Sequence, residues 1–486
     1  MVDHRCPSSR ASALSSPCQK SSLSLMDHSD RPKDRRLDED VYLALFAHRA
    51  AQRSDADRQE AYERLHWFIN RLLEASFLML PRKYRRAWNG SVSVDATVIP
   101  AFARPERRAP GKKRGRDRPV LRRSSDPDGA WYVRTGDHRD DELASPSSAK
   151  HIWGYEATLV VCGYLKVAGE VPLPVLVVAM PPLHEPGREP GRNAVRALTN
   201  LRDRGHPAGR LAADNNYSAA KPEDFQLPAR ALGYDLLLNY RIDQLGVQAE
   251  SKGSLLVEGR WYCPAMPQTL ISASLDYREN RIDEATFHKR IEARRAHEFR
   301  PNGTPDAEGH QRLLCPAAQG APTVYCELKP KTDTFDGKVR VRIRPTDEIK
   351  AQPPKCCTQE SVTIPPSAGA KFFQSLPLGT PEHQAAYAAM RNDVEGMNGF
   401  LKDSAYEGMA DPQRRRVRGV AAQSVLVAFQ IVAGNLRKID SFLEKMAAVV
   451  EPLRPRRRRR TADPITSWLV PSGLTASGGR APPTAV

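Results

Sequence analysis

Residues 91–99 read Ser-Val-Ser-Val-Asp-Ala-Thr-Val-Ile, and this stretch constrains the fold more than any other. Its β-branched residues alternate with small and polar ones, the pattern of a strand. Asp95 stands at the centre. A carboxylate in an apolar strand is costly to bury unless it is hydrogen-bonded, paired or bound to a metal. The chain must therefore build a sheet around this strand and give the acid a partner.

The surrounding pattern predicts how that sheet is made. Residues 1–36, rich in Ser, Asp, Arg and Pro, read as a disordered arm. From 37 to 90 the period is helical: Val41, Leu43, Leu45 and Phe46, then Tyr62, Leu65, Phe68, Ile69, Leu72, Leu73 and Phe77 at spacings of three and four. Two or three helices are expected there, as a DNA-end-binding domain. Further strands are predicted near 154–162, 175–180, 209–214 and 234–240, with helices over 193–204 and 222–232. Strands first, then alternating strand and helix, indicate an α/β domain with a mixed sheet over 91–241. Residues 242–375 break the rhythm with Pro, Cys and short β-like runs, and read as a mainly β insertion. Helix returns at 381–403 and again over 411–448, so 376–450 reads as the helical second part of the domain. The tail 451–486, with Arg454 and Arg456–Arg460, reads as basic and disordered.

Two more acids occupy notable places. Asp214 ends the short apolar strand of 209–214. Glu395 lies in the helix 381–403, with Arg391 four residues before it and Lys402 seven after. At about 100° per residue, both cations fall within roughly 40° of Glu395 on the helical wheel. Asn398 adds a polar group to the same face. Three converging carboxylates suit a hard cation such as Mg²⁺, and flanking cations suit phosphate oxygens.

With these residues in view, the chain resembles bacterial insertion-sequence transposases of the DDE class, whose catalytic domain is ribonuclease H-like. One subgroup carries Tyr-x2-Arg-x3-Glu-x6-Lys around its catalytic Glu. Arg391-x3-Glu395-x6-Lys402 matches in full, whereas Tyr387 stands one position early and Ala388 fills its slot. Asp95-Ala96-Thr97 resembles the first-acid motif Asp-x-Thr. Asp214-Asn215-Asn216-Tyr217-Ser218 resembles the second, with a slightly longer spacer. The 181 positions from Asp214 to Glu395 are similar to the subgroup's β-rich insertion. The resemblance spans about residues 90–440. It implies that Asp95, Asp214 and Glu395 are catalytic and hold two Mg²⁺ ions, with Mn²⁺ as a substitute. It further implies that Arg391, Lys402, Tyr387 and Asn398 face DNA. The reaction would be cleavage at element ends followed by strand transfer to target DNA. The partner would be double-stranded DNA, bound by a dimer, in the cytoplasm at the nucleoid. A metal-dependent nuclease of the same fold and an inactive DNA-binding relic are the alternatives.

Composition agrees with a polyanionic partner. Lys+Arg 74 against Asp+Glu 57 gives a net charge of +17. The basic loop 104–123, with Lys112, Lys113 and Arg114, is expected to follow the DNA backbone. Arg414 and Arg415, placed at the start of the last helix, are expected to face DNA too. Trp131 and Tyr132 fit strand packing better than base stacking. No apolar run of 18 residues is present, so no membrane span is expected. Cys263, Cys315, Cys326, Cys356 and Cys357 all fall in the insertion. Four thiolates would suffice for structural Zn²⁺, but there is no Cys-x2-Cys pair, and adjacent Cys356 and Cys357 rarely share one ion. Reduced thiols are the favoured reading.

Overall fold

The computed structural model describes residues 23–33, 35–109, 119–134, 150–163, 172–318, 324–329 and 341–450. Lys112, Lys113, Arg114, residues 1–22 and the tail 451–486 lie outside the described residues. One compact unit runs to Ile439, and a second begins at Asp440.

The helical start comprises α1 (Glu39–Ala51), α2 (Asp55–Leu78) and α3 (Arg82–Ala87). Ser54 caps α2 in a reciprocal box with Asp57. Leu65, Ile69 and Leu73 of α2 are fully buried in the same core cluster as the main sheet. Asn70 fixes this packing by bonding both to Met180 O (2.7 Å) and from Met180 N (3.1 Å). The segment 37–90 is thus partly a layer of the α/β core and not a separate module. Helix α1 differs: Val41, Leu43, Leu45 and Phe46 are exposed, and only Tyr42 is buried.

Part of the expected disordered arm is folded. Asp30 is buried between Arg53 (3.0 Å) and Arg58 (2.6 Å), and Lys33 reaches the buried Asp128 at 3.0 Å. Its polar composition suggested solvent, but these charges find fixed partners.

Among the described residues six strands form the main sheet: β1 (Val92–Pro100), β2 (Ala130–Arg134), β3 (Lys150–Cys162), β4 (Leu176–Ala179), β5 (Arg210–Ala213) and β6 (Asp235–Leu238). The order is β2-β3-β1-β5-β6, with β4 also on β3. β3 is antiparallel to β1, β2 and β4, whereas β1, β5 and β6 run parallel. The sheet is mixed, as expected. Tyr155, Ala157, Leu159 and Val161 of β3 share the main core with α7 (Pro381–Lys402) and α8 (Val420–Val450). By the two-residue period of a strand, buried Thr158 and Val160 point the other way. There α4 (Pro190–Asp203) packs on β3, followed along the chain by α5 (Gln226–Ala231).

Helix α8 is long and apolar enough to cross a membrane by length and composition. Here Val427, Ala428 and Ile431 are buried in the core, and Asn435 pairs with the backbone of Val177 in both directions.

The insertion leaves after β6 and returns beside it, since Gln374 Oε1 accepts from Leu238 N at 2.7 Å. It interrupts the domain in sequence while its ends stay together. It carries short strands, β7 (Val247–Ser251), β8 (Ser254–Val257), β9 (Arg260–Tyr262), β10 (Gln311–Leu314), β11 (Val324–Cys326), β12 (Val341–Ile343) and β13 (Ser361–Ile364). Yet it also holds α6 (Glu284–Ala293) and several shorter helices, so it is mixed and not mainly β. Helices over 268–297 were missed because their apolar positions are few and interrupted by charge.

Candidate active site

Helix α7 is bolted to the three parallel strands in turn. His383 Nε2 meets Leu238 O of β6 at 2.9 Å, the Tyr387 hydroxyl donates to Ala213 O of β5 at 3.3 Å, and Ser93 Oγ of β1 donates to Met390 O at 2.7 Å. The buried residues His383, Ala386, Met390, Val394, Met397 and Leu401 recur at helical spacing and face the sheet. Glu395 follows Val394 by one position, about 100° round the helix, and so emerges at the edge of that packed face.

The strand register explains how two aspartates come to line the same cleft. β1 pairs with β3 along its whole length, but with β5 only over Val92–Val94, where Val94 stands opposite Ala213. Asp95 and Asp214 are the next residue on each strand. Asp95 therefore lies mid-strand yet just where its neighbour ends. Its register partner is Leu159, and Asp214 shares the face of Ala212, which packs on α7. Asp214 also caps the short helix Asn215–Ser218 through Asn216 N at 2.9 Å. Tyr217 and Ser218 are buried supports.

Arg391 sits between two of the acids, 2.8 Å from Glu395 Oε1 and 3.7 Å from Asp95 Oδ1. Asp95 and Arg391 are largely buried, while Glu395 is 59% exposed. Burial raises the Asp95 carboxyl above its usual range; Arg391 opposes this, and the nearby Asp214 and Glu395 add to it. Burial works against the Arg391 charge, but Asp95 and its fellow acids hold the guanidinium above its usual value.

Asp95, Asp214, Glu395 and Arg391 line one cleft of about 1510 Å³. Several other lining residues were not singled out from sequence. Glu156 of β3 accepts from Gly187 N at 2.9 Å, and burial raises its carboxyl with the negative field of Asp95 and Asp214 reinforcing it. Its signal was the same as that of Asp95: an acid inside an apolar strand. Arg31 and Arg188 also line the cleft, each paired to Glu185, and Arg123 is paired to Glu39 at 2.6 Å. A phosphate entering here would compete with those glutamates. Trp131 and Tyr132 are on the wall, and Trp131 packs edge-on to Trp153, the strand packing expected of it.

The other expected DNA contacts divide. Lys402 lies on α7 about 10 Å further along the axis than Glu395, at 1.5 Å per residue, and is not among the cleft-lining residues. Asn398 is buried and donates to Asp95 Oδ2 at 3.0 Å, a placement that suits orienting the acid. Tyr387 is half-buried, stacked on His383 and committed to Ala213. Arg415 is fully buried and donates to Gln430 (2.9 Å) and Pro100 O (3.2 Å); burial pushes it down to about 10. Arg414 is exposed, but it precedes the last helix, which starts at Val420, and donates to the carbonyls of Ser404 and Tyr406.

Asp95, Asp214 and Glu395 offer carboxylate oxygens of the kind a hard divalent cation takes, and Asp95 feels the negative charge of the other two, but the three carboxylates do not lie within 4.8 Å of one another as they stand. Compared with known proteins, the chain matches no family model, no curated sequence and no solved structure.

Proposed function

We propose that the protein is a DDE-class transposase that cleaves DNA at element ends and transfers the freed 3′ end to target DNA. One observation carries the reading: acids 119 and 181 positions apart, Asp95, Asp214 and Glu395, line a single cleft beside Arg391. The sheet supports it, because β1, β3 and β4 run antiparallel in turn and β5 and β6 then run parallel to β1, the order expected of a ribonuclease H-like domain, with β2 as an additional strand on β3.

In this reading Asp95, Asp214 and Glu395 hold the divalent ions. Bound there, Mg²⁺ would supply positive charge to the attacking and leaving oxygens of an in-line displacement. Asn398 holds Asp95 in its rotamer, and Tyr387 fixes the end of β5 on which Asp214 sits. Arg391 exchanges part of its pairing with Glu395 for a phosphate oxygen. Lys402 contacts a phosphate further along the strand.

A structural reading competes: Arg391 and Glu395 are an i,i+4 ion pair, a common feature of solvated helix faces. Cleavage of DNA carrying the gene's flanking sequence decides between them. Mg²⁺-dependent nicking that Asp95→Ala, Asp214→Ala and Glu395→Ala each abolish, with DNA binding kept, is expected. Joined product from a pre-cut end separates a transposase from a nuclease. Normal cleavage by Glu395→Ala would falsify the assignment.

A further inference from the structure

Three points in the insertion share one local structure. Cys263 follows β9, Cys315 follows β10 and Cys326 ends β11. After each, the chain turns tightly, with the third residue on donating back to the cysteine carbonyl: Met266 N to Cys263 O at 3.0 Å, Ala318 N to Cys315 O at 2.9 Å and Lys329 N to Cys326 O at 2.8 Å. Burial raises each thiol, and the N–H two residues on, from Ala265, Ala317 and Leu328, opposes that rise. A thiol that merely fills an apolar core needs no such donor; a thiolate does.

The fourth corner is the helical turn Lys355–Thr358, which carries Cys356 and Cys357. All five sulfur residues belong to one buried cluster. Cys263, Cys315, Cys326 and Cys357 are close enough that each interacts electrostatically with the other three. Cys356 stands apart in role. Its sulfur lies 3.9 Å from that of Cys357, and either thiol can donate to the other. The Lys329 ammonium adds positive charge near Cys315, Cys326 and Cys357.

We propose that Cys263, Cys315, Cys326 and Cys357 form a tetrathiolate site for one structural Zn²⁺, with Cys356 as a donor outside the ligand set. Soft sulfur ligands select zinc over the hard ions suited to the carboxylate cleft, and four protein ligands leave no open position for catalysis. A tetrahedron with Zn–S of about 2.3 Å needs sulfurs about 3.8 Å apart. Ligation must turn the four side chains inward, since among the described residues only Asp306, Glu308 and His310 bring three ligand atoms within 4.8 Å of one another. That second group is a surface turn whose Asp306 carboxylate is already engaged by the N–H groups of Glu308 and His310. Each of the four cysteines comes from its own element, so such a site would leave no Cys-x2-Cys pair in the sequence.

The site is independent of the proposed DNA chemistry. Full-length protein purified without chelator should hold one zinc per chain by elemental analysis. Exchange with Co²⁺ should give the intense visible bands and near-ultraviolet thiolate charge transfer of a tetrahedral thiolate site. Cys357→Ser and Cys315→Ser should reduce the metal to trace, while Cys356→Ser keeps it. If a ligand variant fails to fold, the wild-type chain still decides: a chelator under reducing conditions should lower its Tm, expose four additional reactive thiols, and be reversed by Zn²⁺. Metal-free protein with no Co²⁺ charge transfer, or Cys356→Ser losing the metal as fully as Cys357→Ser, overturns the proposal.

Discussion

Asn398 donates a hydrogen bond to Asp95 across 3.0 Å, joining α7 to β1 over 303 positions of sequence. The bond occupies Asp95 Oδ2 and leaves Oδ1 towards Arg391. Outer partners of this kind orient the ligand they touch. Asn398→Ala should therefore lower Mg²⁺-dependent cleavage about 10- to 100-fold, through a higher Mg²⁺ requirement and with DNA affinity unchanged. A loss of DNA affinity instead would return Asn398 to the surface role the helical wheel suggested.

Tyr387 tests the same distinction on β5. Tyr387→Phe keeps the ring on His383 and removes only the bond to Ala213 O. It should cost about 1 kcal/mol of stability and slow cleavage by displacing Asp214. Binding to DNA, read by the salt dependence of affinity, should not change. A flattened salt slope would show that the hydroxyl contacts phosphate.

Arg415 is structural. Arg415→Ala strands Gln423, Gln430 and the Pro100 carbonyl, and should destabilise the protein by about 2–4 kcal/mol in denaturant titrations. Arg414→Ala, at an exposed position, should change stability by less than about 1 kcal/mol. Equal effects of the two would contradict the burial that separates them.

Asp126 gives the fold a pH dependence. Burial pushes its carboxyl up to about 6; the Tyr155 hydroxyl and Gly419 N–H oppose this, Asp128 adds to it and Lys33 opposes it. Both bonds fall on Oδ1, and Oδ2 is buried without a partner. The native state keeps the proton to higher pH than the unfolded chain. This contribution is therefore greatest below about pH 4, is lost as pH rises to about 6, and is constant above, a change on the order of 3 kcal/mol. Asp126→Asn retains the Oδ1 acceptor and cannot ionise. Unfolding midpoints measured from pH 4 to 7 should fall less steeply in the variant than in the wild type. Parallel curves would show that Asp126 does not titrate in this window.

Much of the architecture was legible because its signals are local. The alternation at 91–99 placed β1 within one residue, the spacing from Pro381 placed α7, and the apolar run before Asp214 placed β5. Acids in such positions are conspicuous because burying charge is expensive, so Asp95, Asp214 and Glu395 stood out from sequence alone.

What sequence could not decide was direction and depth. The helical wheel put Glu395, Asn398, Arg391 and Lys402 on one face, but only docking on the sheet turned Asn398 inward and left Glu395 at the rim. Two adjacent arginines, Arg414 and Arg415, look alike in the chain, yet one is exposed and the other buried. Polar residues 23–36 resembled a solvated arm until Asp30 and Lys33 met their partners. The five cysteines were scattered over 95 positions and showed no ligand spacing. Local periodicity fixes which elements form, since it depends on neighbours three or four residues away. The partners of a charge or a thiol are chosen by long-range packing, which brings together residues that the sequence keeps far apart.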